Sequence, residues 1–244
     1  MSCQVHLFLD FDDTLTPMRE HRARYVRTLA GLLKERYGGL SEEWECAVRS
    51  AMEASIQRYN ERFQGCVAEG FRQWLSEEQQ RQAQEVIRLA CPGRPMHQSI
   101  LQEGTALQHQ ALRACSVSYP GASKSLSLLA DKGIPIHMAS AWDAAYLTAA
   151  LEGMGLAQYV SYRFGPDLVD YAKEGPEFYR RVFRRCGIRP EDALVLDDQQ
   201  ACLQWAAEVG ARPIQARLNA QPQVLDAFIE HMEALPDLVA RLGC

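Results

Sequence analysis

The stretch VHLFLDFDDTLTP, residues 5–17, decides the fold. The apolar run Val5–Leu9 is typical of a short buried strand, and three carboxylates, Asp10, Asp12 and Asp13, follow it directly. Two carboxylates about 4 Å apart repel each other by about 4 kcal/mol at an effective dielectric constant of 20. A buried strand that ends in such a cluster therefore predicts a cation that offsets the repulsion.

After this stretch, residues 17–117 read as helices, and no strand is predicted among them. Apolar residues recur every three or four positions in the segment that begins with Ser41 as its N-cap. Ser76 and Gln79 predict a capping box at the start of a further helix, and residues 98–115 predict another.

From Tyr119 onward, short apolar runs alternate with helical patterns. The strands are predicted within 134–140, 159–164, 193–198 and 212–216, and residues 222–243 are predicted to be helical. Such alternation is typical of an α/β fold with a parallel sheet that is covered by helices on both faces. The first strand has no other sheet to join, so it belongs with this later set.

The helical segment is therefore predicted to be an insertion after the first strand of an α/β domain. The expected domains are a core, residues 1–16 and 118–244, and an all-helical unit, residues 17–117.

Polar residues follow four of the predicted elements in the core. Acids end the first strand, Ser140 ends the second, Lys173 lies in a strand-to-helix loop, and Asp197 and Asp198 end a later strand. Taken singly, each has an ordinary explanation, such as a helix cap, an acidic turn or a surface lysine. Function in open α/β sheets gathers at the carboxyl ends of the strands, so the joint pattern predicts one site. Acids, a hydroxyl and one cation suit a small anionic ligand with Mg²⁺, which prefers oxygen ligands.

In this order, the four strand ends resemble the four motifs of the haloacid dehalogenase superfamily. The resemblance covers residues 1–16 and about 118–220, and it implies a three-layer Rossmann-like core. The insertion is similar in position to the helical C1 cap of that family. The motifs imply phosphoryl chemistry but say almost nothing about the substrate.

The resemblance also implies catalytic roles. Asp10 matches the nucleophile that takes the phosphoryl group as an aspartyl phosphate, and Asp12 matches the general acid and base. Ser140 matches the hydroxyl that binds the phosphoryl group, and Lys173 matches the lysine that screens nucleophile and phosphate.

The same resemblance implies a Mg²⁺ site. Its ligands would be Asp10, the backbone carbonyl of Asp12 and the acidic pair. Of the pair, Asp198 is the first choice as metal ligand. Asp197 would be a second ligand or would hydrogen-bond to a ligand, although the two assignments could be reversed. Thr14 would hold the loop, and Asp13 is expected to point away from the metal.

Substrate contacts are expected from residues beside the motifs. Arg19 and Arg22, with His21 and Arg24, follow the first motif closely enough to overhang the site, although a basic helix face explains them equally well. Ala141 and Trp142 directly follow Ser140. The remaining aromatic residues of the insertion are expected to form its own core: Trp44, Phe63, Phe71 and Trp74.

The leading hypothesis is a Mg²⁺-dependent phosphatase acting on a small-molecule phosphate ester. Dehalogenases of the family lack an acid at the position of Asp12, and phosphonate-cleaving members need a cap lysine, for which Lys34 is the single candidate. A phosphomutase or other phosphotransferase shares all four motifs and stays open, as does a non-catalytic binding or regulatory protein. Terpenoid or other specialised-metabolite phosphatases are neither favoured nor excluded.

Composition restricts partners and location. The formal net charge of −5 does not favour nucleic acid or an anionic membrane surface. The eight cysteines are scattered without a metal-site spacing, and no apolar stretch is long enough to span a bilayer. A cytoplasmic protein is therefore expected, and the oligomeric state stays open.

Overall fold

The computed structural model describes residues 5–65, 68–93 and 98–243. Its centre is a six-stranded, all-parallel sheet in the order β3-β2-β1-β4-β5-β6. The strands are β1 (His6–Leu9), β2 (Ile136–Ala139), β3 (Val160–Phe164), β4 (Ala193–Asp197), β5 (Arg212–Ala216) and β6 (Phe228–Ile229). The predicted α/β fold is confirmed, and β1, β2 and β4 are adjacent in the middle of the sheet.

Ten α-helices accompany the sheet in the described part of the chain. They are α1 (Met18–Tyr37), α2 (Ser41–Phe63), α3 (Phe71–Ala90), α4 (Gln98–Cys115), α5 (Ala122–Asp131), α6 (Ala144–Gly153), α7 (Pro166–Val169), α8 (Pro176–Cys186), α9 (Gln200–Glu208) and α10 (Leu235–Leu242). None of the helices in the described ranges is both long and apolar enough to cross a bilayer.

The sheet separates two apolar cores because successive residues of a strand point to opposite faces. Leu7 and Leu9 pack with α5, α6 and α10 on one face. Phe8, between them, packs with α8 and α9 on the other face. Both faces of β1 are thus buried from Leu7 to Leu9, which explains why these residues are apolar.

Helices α1 to α4 follow β1 without an intervening strand and share a further apolar core, which contains Leu29, Val48, Val86 and Leu112. Ala149 of α6 belongs to the same cluster, so α6 connects the helical segment to the sheet. The domain boundaries at residues 16/17 and 117/118 stay a prediction.

Two local predictions are wrong. Ser76 and Gln79 do not begin a helix, because α3 begins earlier, at Phe71 after Gly70. Phe71 and Trp74 extend the apolar face of that helix onto Phe63, which makes the earlier start favourable.

Residues 222–243 are not helical throughout. Phe228 and Ile229 form β6, a 3₁₀ turn spans Met232–Ala234, and the α-helix begins only at Leu235. The buried side chain of Gln215 donates to the Pro222 carbonyl at 2.7 Å and accepts from the Val224 N–H at 2.8 Å. These bonds hold the segment extended beside β5.

The contact between α4 and α6 gives a stability prediction. A Cβ atom on Gly153 would lie 2.3 Å from the Arg113 carbonyl oxygen, and backbone cannot yield as a flexible side chain does. We expect Gly153→Ala to lower the free energy of unfolding by about 1–3 kcal/mol in urea titrations. Gly31→Ala, inside α1 with open space around it, is the control, with an expected gain of about 0.5–1 kcal/mol. Unchanged stability of Gly153→Ala would contradict the close approach.

Candidate active site

The turn after β1 places the first acids. The Asp10 N–H donates to the Leu196 carbonyl at 2.9 Å, so Asp10 lies beside the end of β4. Asp13 takes a positive φ of 50°, and its carboxylate accepts the Met18 N–H at 3.0 Å. Asp13 therefore caps α1 from within the turn, while Pro17 at the helix start offers no side-chain cap.

A buried lysine joins the two ends of the acidic cluster. Lys173 Nζ donates to Asp10 Oδ1 and to Asp197 Oδ2, both at 2.7 Å. All three side chains are buried, so these charge-assisted bonds are poorly screened by solvent. The adjacent Ala172 N–H donates to the Ala68 carbonyl at 2.8 Å, so the connection between α2 and α3 holds the lysine loop.

The carboxylates of Asp10, Asp197 and Asp198 each offer an oxygen, and these oxygens lie within 4.8 Å of one another. Asp197 uses both of its oxygens, one for Lys173 and one for the Gln199 N–H at 2.9 Å. Asp198 Oδ1 is buried and has no hydrogen-bond partner among the described residues. A hard divalent cation such as Mg²⁺ fits this set, because it would satisfy the orphaned oxygen and offset the excess of acids.

Electrostatics of the site show the same excess of negative charge. Burial, with the charge of Asp10, raises the pKa of Asp198 to about 8 and that of Asp12 to about 7. Burial also raises the pKa of Asp197 to about 6 against the opposing effect of Lys173. Burial alone would lower the pKa of Lys173, but Asp10 and Asp197 raise it well above its usual value. The lysine is therefore charged in this site.

Asp12 is oriented by Trp142, on the loop after β2, which stacks on Tyr146 in the first turn of α6. The indole N–H of Trp142 donates to Asp12 Oδ2 at 2.8 Å. Trp142 stacks on Tyr146 with ring centroids 4.1 Å apart and planes 8° from parallel. The hydrogen bond favours the charged form of Asp12 and fixes its direction.

The remaining predicted residues of the motifs lie in the same region. Ser140 is buried at the end of β2, next to β1, and its Oγ lies 3.4 Å from the Trp142 N–H, which donates to it. Thr14 is buried in the turn after β1, and its Oγ1 has no partner among the described residues. Sheet order thus brings residues 10, 140, 197 and 198 to one edge of the sheet, and the loop between α7 and α8 adds Lys173 through its bonds to Asp10 and Asp197.

A cavity of about 330 Å³ lies between α1–α4 and the loops after β1 and β2. Asp12, Arg22, Ala141 and Trp142 are among the residues that line it. Arg19 is exposed and is not among the lining residues. Of the four basic residues predicted to overhang the site, His21 also lines the cavity, whereas Arg24 is exposed and pairs with Glu20 at 2.6 Å.

The aromatic residues of the helical segment have two roles. Trp44 and Phe63 are fully buried in apolar clusters, in agreement with the prediction that they form a core. Phe71 and Trp74 pack on Phe63 but also line the cavity, so the prediction was incomplete for them. Lys34 is exposed in the last turn of α1 and is not among the lining residues, which removes the support for a phosphonate-cleaving enzyme.

Several neighbours of the site were not predicted. Tyr146 lies four residues after Trp142, a spacing that could have indicated the stacked pair on a helix start. The Tyr179 hydroxyl lies 3.4 Å from Asp197 Oδ2, and the Asn219 amide donates to Asp13. Asn219 follows β5, so the rule that ligands meet strand ends could have found it.

The bond between Trp142 and Asp12 gives an activity prediction. Trp142→Phe keeps a ring that can stack on Tyr146 but removes the donor to Asp12, so we expect kcat to fall about fivefold to tenfold. Steady-state kinetics with one compound that the wild-type enzyme hydrolyses measures this effect. Trp205→Phe, on α9 away from the cavity, is the matched control with unchanged kcat. A Trp142→Phe enzyme as active as wild type would show that the bond does not orient a reacting group.

Comparison with known proteins decides the family. The haloacid dehalogenase-like hydrolase family matches residues 6–210. The chain belongs to this family. The resemblance inferred from the strand ends is thereby confirmed, and the coarse activity is that of a hydrolase.

Individual relatives carry two different activities in their names. Phosphoglycolate phosphatase 1 of Pseudomonas aeruginosa is 28% identical over 151 residues, which are 59% of this chain and 54% of that protein. The match thus spans about half the length of this curated relative. The 2-haloacid dehalogenase of Pseudomonas syringae has a TM-score of 0.68 at 18% identity, with 98% of this chain and 99% of that chain covered.

A second dehalogenase structure has the same fold. The L-2-haloacid dehalogenase of Xanthobacter autotrophicus, solved with chloropropionic acid covalently bound, has a TM-score of 0.59 at 19% identity, with 97% and 98% of the two chains covered. At such identities the structural similarity establishes the fold alone.

Proposed function

We propose that this hydrolase is a Mg²⁺-dependent phosphatase that cleaves a small-molecule phosphate monoester through an aspartyl phosphate on Asp10. The observation that carries the proposal is the cluster of Asp10, Asp197 and Asp198 around a single lysine, with an orphaned oxygen on Asp198. Acids in such excess need positive charge nearby, which favours a bound divalent cation. A phosphoryl group, whose oxygens can bind that cation, suits this site better than an uncharged carbon centre.

The metal would be held by Asp10, Asp198 and the backbone carbonyl of Asp12, with Asp197 as the partner of Lys173. When bound, Mg²⁺ would neutralise charge on the phosphoryl oxygens and hold them for attack. The two oxygens of Asp197 are engaged by Lys173 and the Gln199 N–H, which supports Asp198 as the ligand.

In the first step, the Asp10 carboxylate attacks phosphorus while Asp12 gives its proton to the departing ester oxygen. In the second, Asp12 takes a proton from water, which attacks the same phosphorus and releases phosphate and free Asp10. A pKa of about 7 allows Asp12 to serve as both acid and base near neutral pH. Lys173 holds Asp10 in place, and the Ser140 hydroxyl would donate to a phosphoryl oxygen.

Phosphate release from p-nitrophenyl phosphate and a panel of small phosphate esters tests the proposal, with Mg²⁺ and with chelator. Chloride release from 2-chloropropionate is measured in parallel. We expect metal-dependent phosphate release and no chloride release. Chloride release that persists in chelator, without phosphatase activity, would contradict the proposal.

A further inference from the structure

The cavity above Asp12 has mainly apolar walls. The stacked pair of Trp142 and Tyr146 forms part of the wall on the sheet side, and Ile56, Phe71 and Leu75 contribute from α2 and α3. Asp12 is a lining residue, whereas Asp10, Ser140 and Lys173 are not. The cavity therefore lies on the side of Asp12 away from the phosphoryl site, where the leaving group of a substrate would be.

The acidic side chains of this cavity already have partners. Glu78 is buried and accepts three hydrogen bonds from Arg58, at 2.6 to 3.2 Å, and one from Arg81 at 3.4 Å. Asp143 accepts the N–H groups of the first turn of α6. Arg22 is the one lysine or arginine among the lining residues of the described chain. The cavity therefore offers a substrate a single guanidinium among mainly apolar walls.

The size of the cavity is also informative. At about 30 Å³ for each water in the liquid, 330 Å³ corresponds to about eleven water molecules. A two-carbon acid would fill only a small part of that volume, and water would stay in contact with the apolar walls. Apolar pockets with a few polar groups are typical of ligands with a ring or a branched carbon body, and Ser55, Gln82 and Gln108 supply the polar groups here.

We infer that the substrate is the phosphate monoester of a mainly apolar alcohol with a ring-sized carbon body. The inference rests on the proposed phosphatase function and names its substrate class. The alcohol occupies the cavity between α1–α4 and the Trp142–Tyr146 pair, with its ester oxygen at Asp12. This differs from the short acidic substrate that the name of the phosphoglycolate phosphatase relative indicates.

The test compares three esters on the wild-type enzyme with Mg²⁺: 2-phenylethyl phosphate, ethyl phosphate and phosphoglycolate. The first two have alkyl leaving groups of similar reactivity, so their ratio reports binding of the ring. Because a buried ring contributes through its apolar area, we expect kcat/KM for 2-phenylethyl phosphate to exceed that of ethyl phosphate by at least about tenfold. We expect phosphoglycolate to be the poorer substrate as well.

Filling the cavity should remove this preference. Ser55 lines the cavity from α2, whereas Ser50 on the same helix is exposed and is not a lining residue. We expect Ser55→Phe to lower kcat/KM for 2-phenylethyl phosphate at least about tenfold while ethyl phosphate changes little, because the added ring takes the space of the substrate. Ser50→Phe should change neither ester, and thermal melts verify that both variants fold.

Equal use of ethyl and 2-phenylethyl phosphate, or a preference for phosphoglycolate, would overturn the inference while leaving the phosphatase function intact. Equal losses on both alkyl esters in a folded Ser55→Phe enzyme would also overturn it. Absence of phosphate release from all three esters and from p-nitrophenyl phosphate would overturn the proposed function, and this inference with it.

Discussion

Asp10→Asn is expected to lower kcat for phosphate release at least about a thousandfold, because an amide cannot displace the leaving group as a carboxylate does. The fold should survive the change. Asp10 Oδ1 accepts one bond from Lys173, and an amide oxygen can accept the same bond. Steady-state phosphate release with Mg²⁺, on protein purified identically to wild type, measures the effect.

Asp13→Asn is the matched control from the same turn. Asparagine tolerates the positive φ of residue 13 and can still accept the Met18 N–H, so we expect activity within about threefold of wild type. Equal activity of Asp10→Asn and Asp13→Asn would mean that Asp10 is not the nucleophile or that the activity comes from a contaminant.

The two acids after β4 should differ in how much their neutralisation changes the free energy of unfolding. Asp198→Asn removes a charge that has no partner in the described chain, so we expect the metal-free protein to gain about 1–2 kcal/mol of unfolding free energy. Asp197→Asn instead weakens a buried ion pair, but Lys173 keeps Asp10 as its partner and burial already raises the pKa of Asp197 to about 6, so we expect a change within about 1 kcal/mol of wild type. Urea titrations in chelator measure both changes.

The same variants locate the metal. Mg²⁺ should raise the melting temperature of wild type by mass action, and this shift should vanish in Asp198→Asn together with most of the activity. Asp131→Asn, at an exposed position in α5, is the control and should keep the full shift. A shift that survives in Asp198→Asn but vanishes in Asp197→Asn would reverse the assignment of the two acids.

The sequence was informative where a local pattern determines the structure. Apolar runs such as ALVL before Asp197 predicted the strands, and parallel strands bring their carboxyl ends to one edge. That geometry alone predicts that Asp10, Ser140 and the acidic pair are neighbours. The predicted alternation of strands and helices likewise follows from short-range periodicity.

Other features depend on contacts between distant residues. The bond from Trp142 to Asp12 joins positions 130 residues apart, and no local pattern indicates it. Much of the cavity wall comes from α1–α4, whose packing angles the sequence does not reveal. The segment after β5 was predicted to be helical because its apolar spacing suits a helix, whereas the buried Gln215 side chain holds it extended.

Direct detection of the aspartyl phosphate tests the central claim. Asp12→Asn removes the base that activates water for the second step. The first step needs no acid when the leaving group is p-nitrophenolate, so the phosphoryl-enzyme should form faster than it is hydrolysed. Rapid acid quench of this variant with p-nitrophenyl phosphate, followed by peptide mass spectrometry, should show one phosphoryl group on the peptide that contains Asp10, after a burst of one p-nitrophenolate per enzyme. A phosphoryl group on another residue, or turnover without a burst or a labelled peptide, would contradict the mechanism.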